Sequence, residues 1–125
     1  MTSMYRIFVV GALALASAPA MAQSFDAEID CGGLFAPGGT VPFKVRLEEQ
    51  AHQIHTIDLT VELDPQGSST KTILHKVLTL DSNQDLTIKK QLVLKANALP
   101  GDWDMRVIAD DGTTVITDTC SFQVF

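Results

Sequence analysis

Strict alternation of apolar and polar residues is the feature that most limits what this chain can fold into. From Phe25 to Cys31 every second residue is apolar, and the residues between them are acidic. The same period of two continues over 41–49, 57–63 and 103–109. A period of two places successive side chains on opposite faces of an extended chain. These segments therefore predict half-buried β-strands.

Turn residues separate these segments at short intervals. A Pro-Gly-Gly sequence fills 37–39, and 64–68 and 81–85 are rich in Asp, Ser, Asn, Pro or Gly. Asp111 and Gly112 lie between the last two alternating segments, which is a strong signal of a β-hairpin. Because almost no helical period follows the first 22 residues, the pattern predicts an all-β fold, a two-sheet antiparallel sandwich of about seven strands.

Some segments are less regular. Between Thr70 and Leu80 both faces carry apolar residues, which indicates a β-bulge or a change of sheet partway along the strand. Residues 86–94 predict a strand, with a helix as the alternative because several of these residues also share one helical face. Residues 49–55 are polar and without period, and residues 34–36 follow two glycines, so both segments are predicted to be loops.

The first 22 residues have the composition of a secretory signal peptide. Arg6 supplies a positive charge, an apolar run over 7–16 follows, and Ala-Met-Ala at 20–22 is a small-x-small cleavage site. The run is too short to span a bilayer, which disfavours the alternative of an N-terminal anchor. We therefore expect a signal peptide over 1–22 and one sandwich domain over 23–125, located in the periplasm or secreted.

The charge of the chain excludes some classes of partner. The formal net charge is −6, and loss of Arg6 with the signal peptide would make it −7. Nucleic acids and anionic membrane surfaces select basic patches, so neither is an expected partner. After residue 22 no apolar run is long enough to span a bilayer.

Cys31 and Cys120 are the only two cysteines of the chain. In an exported protein such a pair is expected to form a disulfide, and both cysteines fall at inward positions of the first and last predicted strands. The bridge would join the two ends of the domain and bring the two Cα atoms within about 7 Å of each other. A redox or metal role is the alternative, but the C-x-x-C spacing of such sites is missing.

The histidines raise the alternative of a metal site. His52 and His55 lie three residues apart in a predicted loop, and His75 lies on a strand. Copper or zinc needs three or four converging ligands, and the sequence supplies only the loop pair. A periplasmic copper- or zinc-binding protein that uses His52 and His55 is therefore the second functional hypothesis.

Acidic residues cluster in two places. Asp81, Asn83 and Asp85 match the first three ligand positions of a calcium loop, but Leu86 and Leu92 occupy the places of the required Gly and Glu. A second group surrounds the last hairpin and comprises Asp102, Asp104, Asp110 and Asp111. Both clusters are expected to be solvated turns.

No motif predicts an enzyme. The chain has no Gly-x-Ser-x-Gly and no His-Glu-x-x-His sequence, so we expect no catalytic residues and no cofactor. Trp103 follows a turn and begins an alternating segment. A single Trp in that position is expected to anchor the core and not to bind a ligand.

The turn and core motifs together resemble those of a known group of domains. They are the Pro-Gly-Gly sequence at 37–39, Gly101-x-Trp103 at the start of the sixth strand, and the closing Phe-Gln-Val at 122–124. This layout is similar to bacterial immunoglobulin-like domains, most of all the macroglobulin-type and FixH/YtkA-like sandwiches. The resemblance implies an immunoglobulin-like β-sandwich that binds or spaces and performs no chemistry.

The first functional hypothesis is therefore an exported interaction module. It would bind a protein partner through a sheet face, an edge strand or an exposed loop end, and its acidic surface would complement a basic partner. A chaperone-like role toward an exported client is its specific form. A purely structural spacer is a third hypothesis.

Overall fold

The alternating segments form the strands of two facing sheets. The computed structural model describes residues 24–125, and for residues 5–10 the backbone alone. Every regular element in these residues is a β-strand. The strands are β1 (Tyr5–Val10), β2 (Phe25–Asp30), β3 (Leu34–Phe35), β4 (Thr40–Glu49), β5 (His55–Asp64), β6 (Lys71–Leu80), β7 (Asp85–Val93), β8 (Gly101–Asp110) and β9 (Thr114–Val124).

The two sheets differ in width. The larger sheet has the order β1-β9-β8-β5-β6, with β3 beside the end of β9, and the smaller sheet has the order β2-β4-β7. All pairings are antiparallel except that of β3 with β9, which is parallel. This arrangement confirms the predicted immunoglobulin-like antiparallel sandwich.

The chain changes sheet at the two glycines after β2. Gly33 has a φ of 105°, a conformation that favours glycine, and Leu34 and Phe35 then pair with the end of β9. The prediction of a loop over 34–36 is therefore wrong for these two residues. Two residues are too few for their alternation to be visible in the sequence.

The inward positions of both sheets form one apolar core. Its largest fully buried side chains are those of Phe25, Phe122, Ile29, Leu47, Ile57, Leu59, Leu80, Met105 and Ile116. Trp103 lies in the same core, where its ring centroid is 5.9 Å from that of Phe122. Its indole N–H donates to the carbonyl of Leu99 at 2.9 Å, which satisfies the polar edge of the ring.

The two irregular segments are edge strands. In β6 the pairing with β5 passes from Val61 and Leu74 to Glu62 and Thr72, so Ile73 is the extra residue of a β-bulge. In β7 the pairing with β4 is continuous from Asp85 to Val93. The bulge is thus present in β6, and the helical alternative for β7 is wrong because its apolar residues face the core with a period of two.

The predicted disulfide joins the two sheets. Cys31 follows β2 of the smaller sheet and Cys120 lies in β9 of the larger sheet, with 5.7 Å between their Cα atoms. The distance lies within the predicted limit. The bond closes a loop with a sequence separation of 89 residues.

The predicted signal peptide lies mostly outside the described residues. Residues 1–4 and 11–23, which include the expected cleavage site, are not described. The backbone of Tyr5–Val10 forms β1, which pairs with β9 from Thr114 to Thr119. No helix in the described part of the chain is long and apolar enough to cross a membrane.

Replacing both Cys31 and Cys120 with alanine is expected to lower the free energy of unfolding by about 4 kcal/mol, because the unfolded chain regains the entropy of a long open loop. Urea unfolding followed by the fluorescence of Trp103 measures this loss. Chemical reduction of the wild-type protein should produce a similar loss and leave the double variant unchanged. A wild-type midpoint that does not move on reduction would contradict the expectation.

Candidate functional site

The sandwich is open along one side, between the edge strands β6 and β7. Among the described strands, β6 pairs only with β5 and β7 only with β4, so each has one unpaired backbone edge. Half-buried apolar side chains of these two strands pack on the core. They are Ile73, Leu74, Leu78, Leu86, Ile88 and Leu92. We call this surface the β6–β7 groove.

The groove follows from the unequal width of the sheets. Three strands, β2, β4 and β7, lie across from the four long strands β9, β8, β5 and β6. Three strands cannot fully cover the inner face of four, because strands within a sheet are about 4.8 Å apart. Apolar side chains at the uncovered margin are therefore only half-buried.

Two adjoining cavities open along the groove. The larger has a volume of about 370 Å³ and lies at the end where Trp103 and Leu99 contribute to its wall. The smaller has a volume of about 240 Å³ and reaches Phe43 of β4. Both cavities are lined by Ile73, Leu92 and Val93, so they form one continuous depression. The lining of the larger cavity is mainly apolar, which is typical of a binding surface, whereas the smaller cavity has a mixed lining.

Lysines surround this depression. The chain has nine Lys and Arg residues, and five of them lie on β6, on β7 or just after β7. These five are Lys71, Lys76, Lys89, Lys90 and Lys95. Three of them, Lys71, Lys90 and Lys95, line the two cavities. In a chain with a net charge of −6, the groove is thus a local concentration of positive charge.

The carboxylate at the start of β7 does not neutralise these lysines, because it is already paired. Asp85 accepts two hydrogen bonds from the Arg46 guanidinium, at 3.0 and 2.8 Å. These bonds hold the pKa of Asp85 below its usual range. Asp85, Arg46 and Glu48, which also accepts a hydrogen bond from the guanidinium at 2.9 Å, therefore form one ionic cluster at the far end of the groove.

A second polar cluster is buried at the opposite end of the sandwich from the larger cavity. The Nε2 atom of His55 lies 3.0 Å from Glu49 Oε2, and its Nδ1 atom lies 3.1 Å from Asp111 Oδ2. All three side chains are almost fully buried. The imidazole ring of His55 is thus held between two carboxylates, with each ring nitrogen within hydrogen-bond distance of one of them.

The carboxylates of this cluster are ionised for a local reason. Burial acts to raise the pKa of Glu49, but the backbone N–H groups of Asn83 and Ala51 and the ring of His55 outweigh burial and lower this pKa to about 2. Burial likewise acts against ionisation of Asp111. The N–H groups of Thr113 and Thr114 outweigh it and lower the pKa of Asp111.

This cluster connects the ends of two strands with a hairpin turn. Glu49 ends β4, His55 begins β5, and Asp111 lies in the β8–β9 hairpin. Glu49 Oε1 also accepts the N–H of Asn83, from the β6–β7 turn, at 2.9 Å. The prediction of a loop over 49–55 is therefore wrong at both of its ends. Glu49 continues the inward alternation of β4 and His55 that of β5, a signal that was present in the sequence.

The histidines proposed as metal ligands are placed differently. His52 is exposed in the loop between β4 and β5, whereas both ring nitrogens of His55 face carboxylates. His75 lies on β6 and its Nε2 is 2.7 Å from Asp58 Oδ1. No group of three or more potential ligands suited to a metal ion occurs in the described residues. The metal hypothesis for His52 and His55 stays a prediction.

The acidic clusters noted in the sequence form local structure. Asp102 and Asp104 of β8 accept hydrogen bonds from Gln123 and Ser121 of the neighbouring strand β9. Asp110 accepts the N–H of Gly112, two residues on, within the hairpin turn. Each of these carboxylates thus stabilises a strand pair or a turn.

The carboxylate of Asp118 is a further buried group that was not predicted from the sequence. Asp118 of β9 is 1% exposed, and its Oδ2 accepts the N–H of Ile29 in β2 at 3.0 Å. This hydrogen bond joins the two sheets near the disulfide. The alternation of β9 places residue 118 on the inward face beside Ile116 and Cys120, so the position could have been identified from the sequence.

The buried Glu49 carboxylate predicts a dependence of stability on pH. The pKa of Glu49 is about 2 in the folded protein and 4.5 ordinarily, so its contribution to stability is present above pH 4.5 and is lost as the pH falls toward 2. We expect Glu49→Gln to lower the melting temperature at pH 7 and to make it depend less on pH below 4.5. Thermal melts across this range measure both effects.

The matched control is Glu48→Gln, which changes the neighbouring carboxylate, one that is 42% exposed. This control should retain the steep acid dependence of the wild-type protein. Equal acid dependence in the wild-type protein and in Glu49→Gln would contradict the assignment.

Comparisons with known proteins show only the fold of this chain. No protein family and no curated protein matches the sequence. Among solved structures, the chain is similar to the alkylpurine DNA glycosylase AlkC of Pseudomonas fluorescens bound to DNA containing an abasic site analog, with a TM-score of 0.67, 13% identity, and coverage of 81% of this chain and 30% of that chain.

Two further structures share the sandwich. The sporulation control protein Spo0M of Bacillus subtilis has a TM-score of 0.62 and 12% identity, with coverage of 82% of this chain and 50% of that chain. A CARDB domain of Pyrococcus furiosus in complex with di-metal ions has a TM-score of 0.62 and 8% identity, with coverage of 81% and 87%. The chain thus spans half or less of the first two proteins and most of the third, and it shares with all three an all-β sandwich.

Proposed function

We propose that residues 23–125 form an exported immunoglobulin-like interaction module that binds a protein partner along the β6–β7 groove. The observation that supports this most directly is the combination of two unpaired strand edges with a continuous apolar depression between them. Unpaired edges offer backbone hydrogen bonds, and apolar depressions offer burial. A protein segment can make backbone hydrogen bonds with the strand edge and bury apolar side chains in the depression at the same time.

The lysines around the groove support a partner with an acidic surface, which differs from the basic partner expected from the net charge alone. Lys71 and Lys95 border the larger cavity and Lys90 the smaller one. Complementary charge raises the association rate and selects among partners.

The disulfide supports export. Bonds such as Cys31–Cys120 form and persist in oxidising compartments, and the composition of residues 1–22 agrees with a secretory signal. Within this proposal the chain is a periplasmic or secreted member of the macroglobulin-type or FixH/YtkA-like domains. A chaperone-like role is its specific form, in which the groove holds a segment of an exported client.

Site-specific photo-crosslinking tests the proposal. A photoreactive residue at Gln91, an exposed position of β7 that lines the smaller cavity, is expected to form an adduct with one partner protein in living cells. The same residue at Thr56, an exposed position of β5, should form none. Cleavage of the predicted signal peptide would free Thr119 of β9 from its pairing with Tyr5. An adduct formed only from Thr119 would place the interface at this opposite edge of the larger sheet and overturn the proposal.

Two exposed valines provide matched variants. Val93 is 69% exposed and lines both cavities, whereas Val77 is 62% exposed and lies opposite Asp58 on the outer face of β6. We expect Val93→Asp to reduce the Gln91 adduct at least about fivefold and Val77→Asp to leave it unchanged, because only Val93 borders the groove. Equal adduct yields in the two variants would contradict binding in the groove.

A further inference from the structure

We propose that the occupant of the groove is an extended strand of the partner that pairs with the free edge of β7 and alternates apolar with acidic residues. This inference rests on the proposed function and adds the chemistry of the partner segment. It follows from the regularity of β7, from the width of the sheets and from the charges on the outer face of the smaller sheet.

The backbone edge of β7 is suited to pairing, and that of β6 is not. β7 keeps one register with β4 from Asp85 to Val93 and contains no proline. β6 carries a bulge at Ile73, and bulges twist an edge and interrupt the row of backbone donors and acceptors. A strand added to β7 meets a regular edge of nine residues, about 30 Å long.

Apart from β1, which lies within the predicted signal peptide, and the two-residue β3, a strand added to β7 would equalise the two sheets. The smaller sheet would become β2-β4-β7-partner, with four strands across from β9-β8-β5-β6. Every second side chain of the added strand would face the cavities lined by Ile73 and Leu92. Burial there requires apolar side chains at those positions.

Charges on the outer face of the smaller sheet determine which side chains the added strand should carry at its outward positions. Lys44 of β4 lies directly opposite Lys89 of β7 in the register, and like charges in that position repel each other. On its other side Lys44 faces Asp30 of β2, but no described strand lies beyond Lys89. An acidic residue of a strand beside β7 would give Lys89 an opposite charge on its free side, as Asp30 does for Lys44.

The chain itself contains a strand of this type. β2 reads Phe-Asp-Ala-Glu-Ile-Asp, with its apolar residues buried and its acidic residues on the outer face. There Glu28 faces Arg46 and Asp30 faces Lys44 of β4, while Asp26, at the start of β2, faces Glu48. β2 therefore shows which pattern this sheet accepts at one edge, and the unpartnered edge at β7 offers the same combination of apolar core and outward lysine.

Fluorescence anisotropy with synthetic peptides tests this inference. The probe is a labelled eight-residue peptide that alternates valine with glutamate, and the controls are a valine-lysine peptide and a valine-glutamate peptide with methylated backbone nitrogens. We expect the purified protein to bind the first peptide and neither control. Equal binding of all three peptides would overturn the inference, because neither charge nor backbone pairing would then matter.

Charge-reversal variants locate the binding edge. The double variant Lys89→Glu, Lys90→Glu is expected to bind the valine-glutamate peptide about tenfold more weakly and to gain affinity for the valine-lysine peptide. The control variant Thr79→Glu adds a negative charge on the outer face of β6, opposite Thr56 and outside both cavities, and should remain within about twofold of the wild-type affinity. A loss confined to the β6 variant would overturn the assignment to β7.

The outcomes separate this inference from the proposed function. A partner adduct at Gln91 combined with no peptide binding would leave the interaction module standing and remove the paired acidic strand. Absence of both would remove both proposals. Concentration-dependent dimerisation that Val93→Asp abolishes would identify a second copy of the chain as the occupant and would also overturn the partner strand.

Discussion

The packing of a narrow sheet on a wider one is the constraint on which the rest of this structure depends. The apolar faces of β2, β4 and β7 cover those of β9, β8 and β5, and this contact buries the core around Phe25, Leu47 and Met105. Burial of apolar surface is the main favourable contribution to folding, so the strands must keep the register that turns these residues inward. The same contact leaves β6 with no full counterpart. The best-formed core and the most exposed apolar margin therefore have one origin, which is the number of strands in each sheet.

The two sheets are tied together at several points along β2. Near its start, Phe25 packs against the ring of His55, with 5.6 Å between ring centroids, and His55 joins Glu49 to Asp111. Near its end, the N–H of Ile29 bonds to the Asp118 carboxylate, and Cys31 is bonded to Cys120. These contacts fix the closed side of the sandwich, the side away from the β6–β7 groove. The groove side has no covalent or buried ionic tie among the described residues, which leaves it available to a partner.

Charged residues, like the contacts between the sheets, differ between the closed side of the sandwich and the groove side. On β2, Glu28 and Asp30 face Arg46 and Lys44. On β8, Asp102 and Asp104 accept hydrogen bonds from β9. Arg46 and Arg106 are held in ion pairs with Asp85 and Glu62. The lysines, in contrast, gather along β6 and β7. Lysines on an edge strand repel other basic edges and attract acidic ones, so they contribute to the choice of partner as well as to its affinity. A domain with a net negative charge thus presents a positive edge to its surroundings.

The sequence by itself determined the elements and their inward faces, because a period of two records which side of each strand is buried. It located seven long strands, the disulfide, the buried position of Trp103 and the irregularity in β6, and its alternation also contained the inward positions of Glu49, His55 and Asp118. Only the tertiary structure decided that β6 joins β5 while β7 joins β4, since pairing between strands depends on contacts between residues far apart in the chain. For the same reason it alone decided that His55 lies between two carboxylates and not beside His52, and that an apolar groove bordered by lysines remains between β6 and β7. Alternation encodes burial one strand at a time, whereas sheet order, buried ionic contacts and open edges arise only when the strands are assembled.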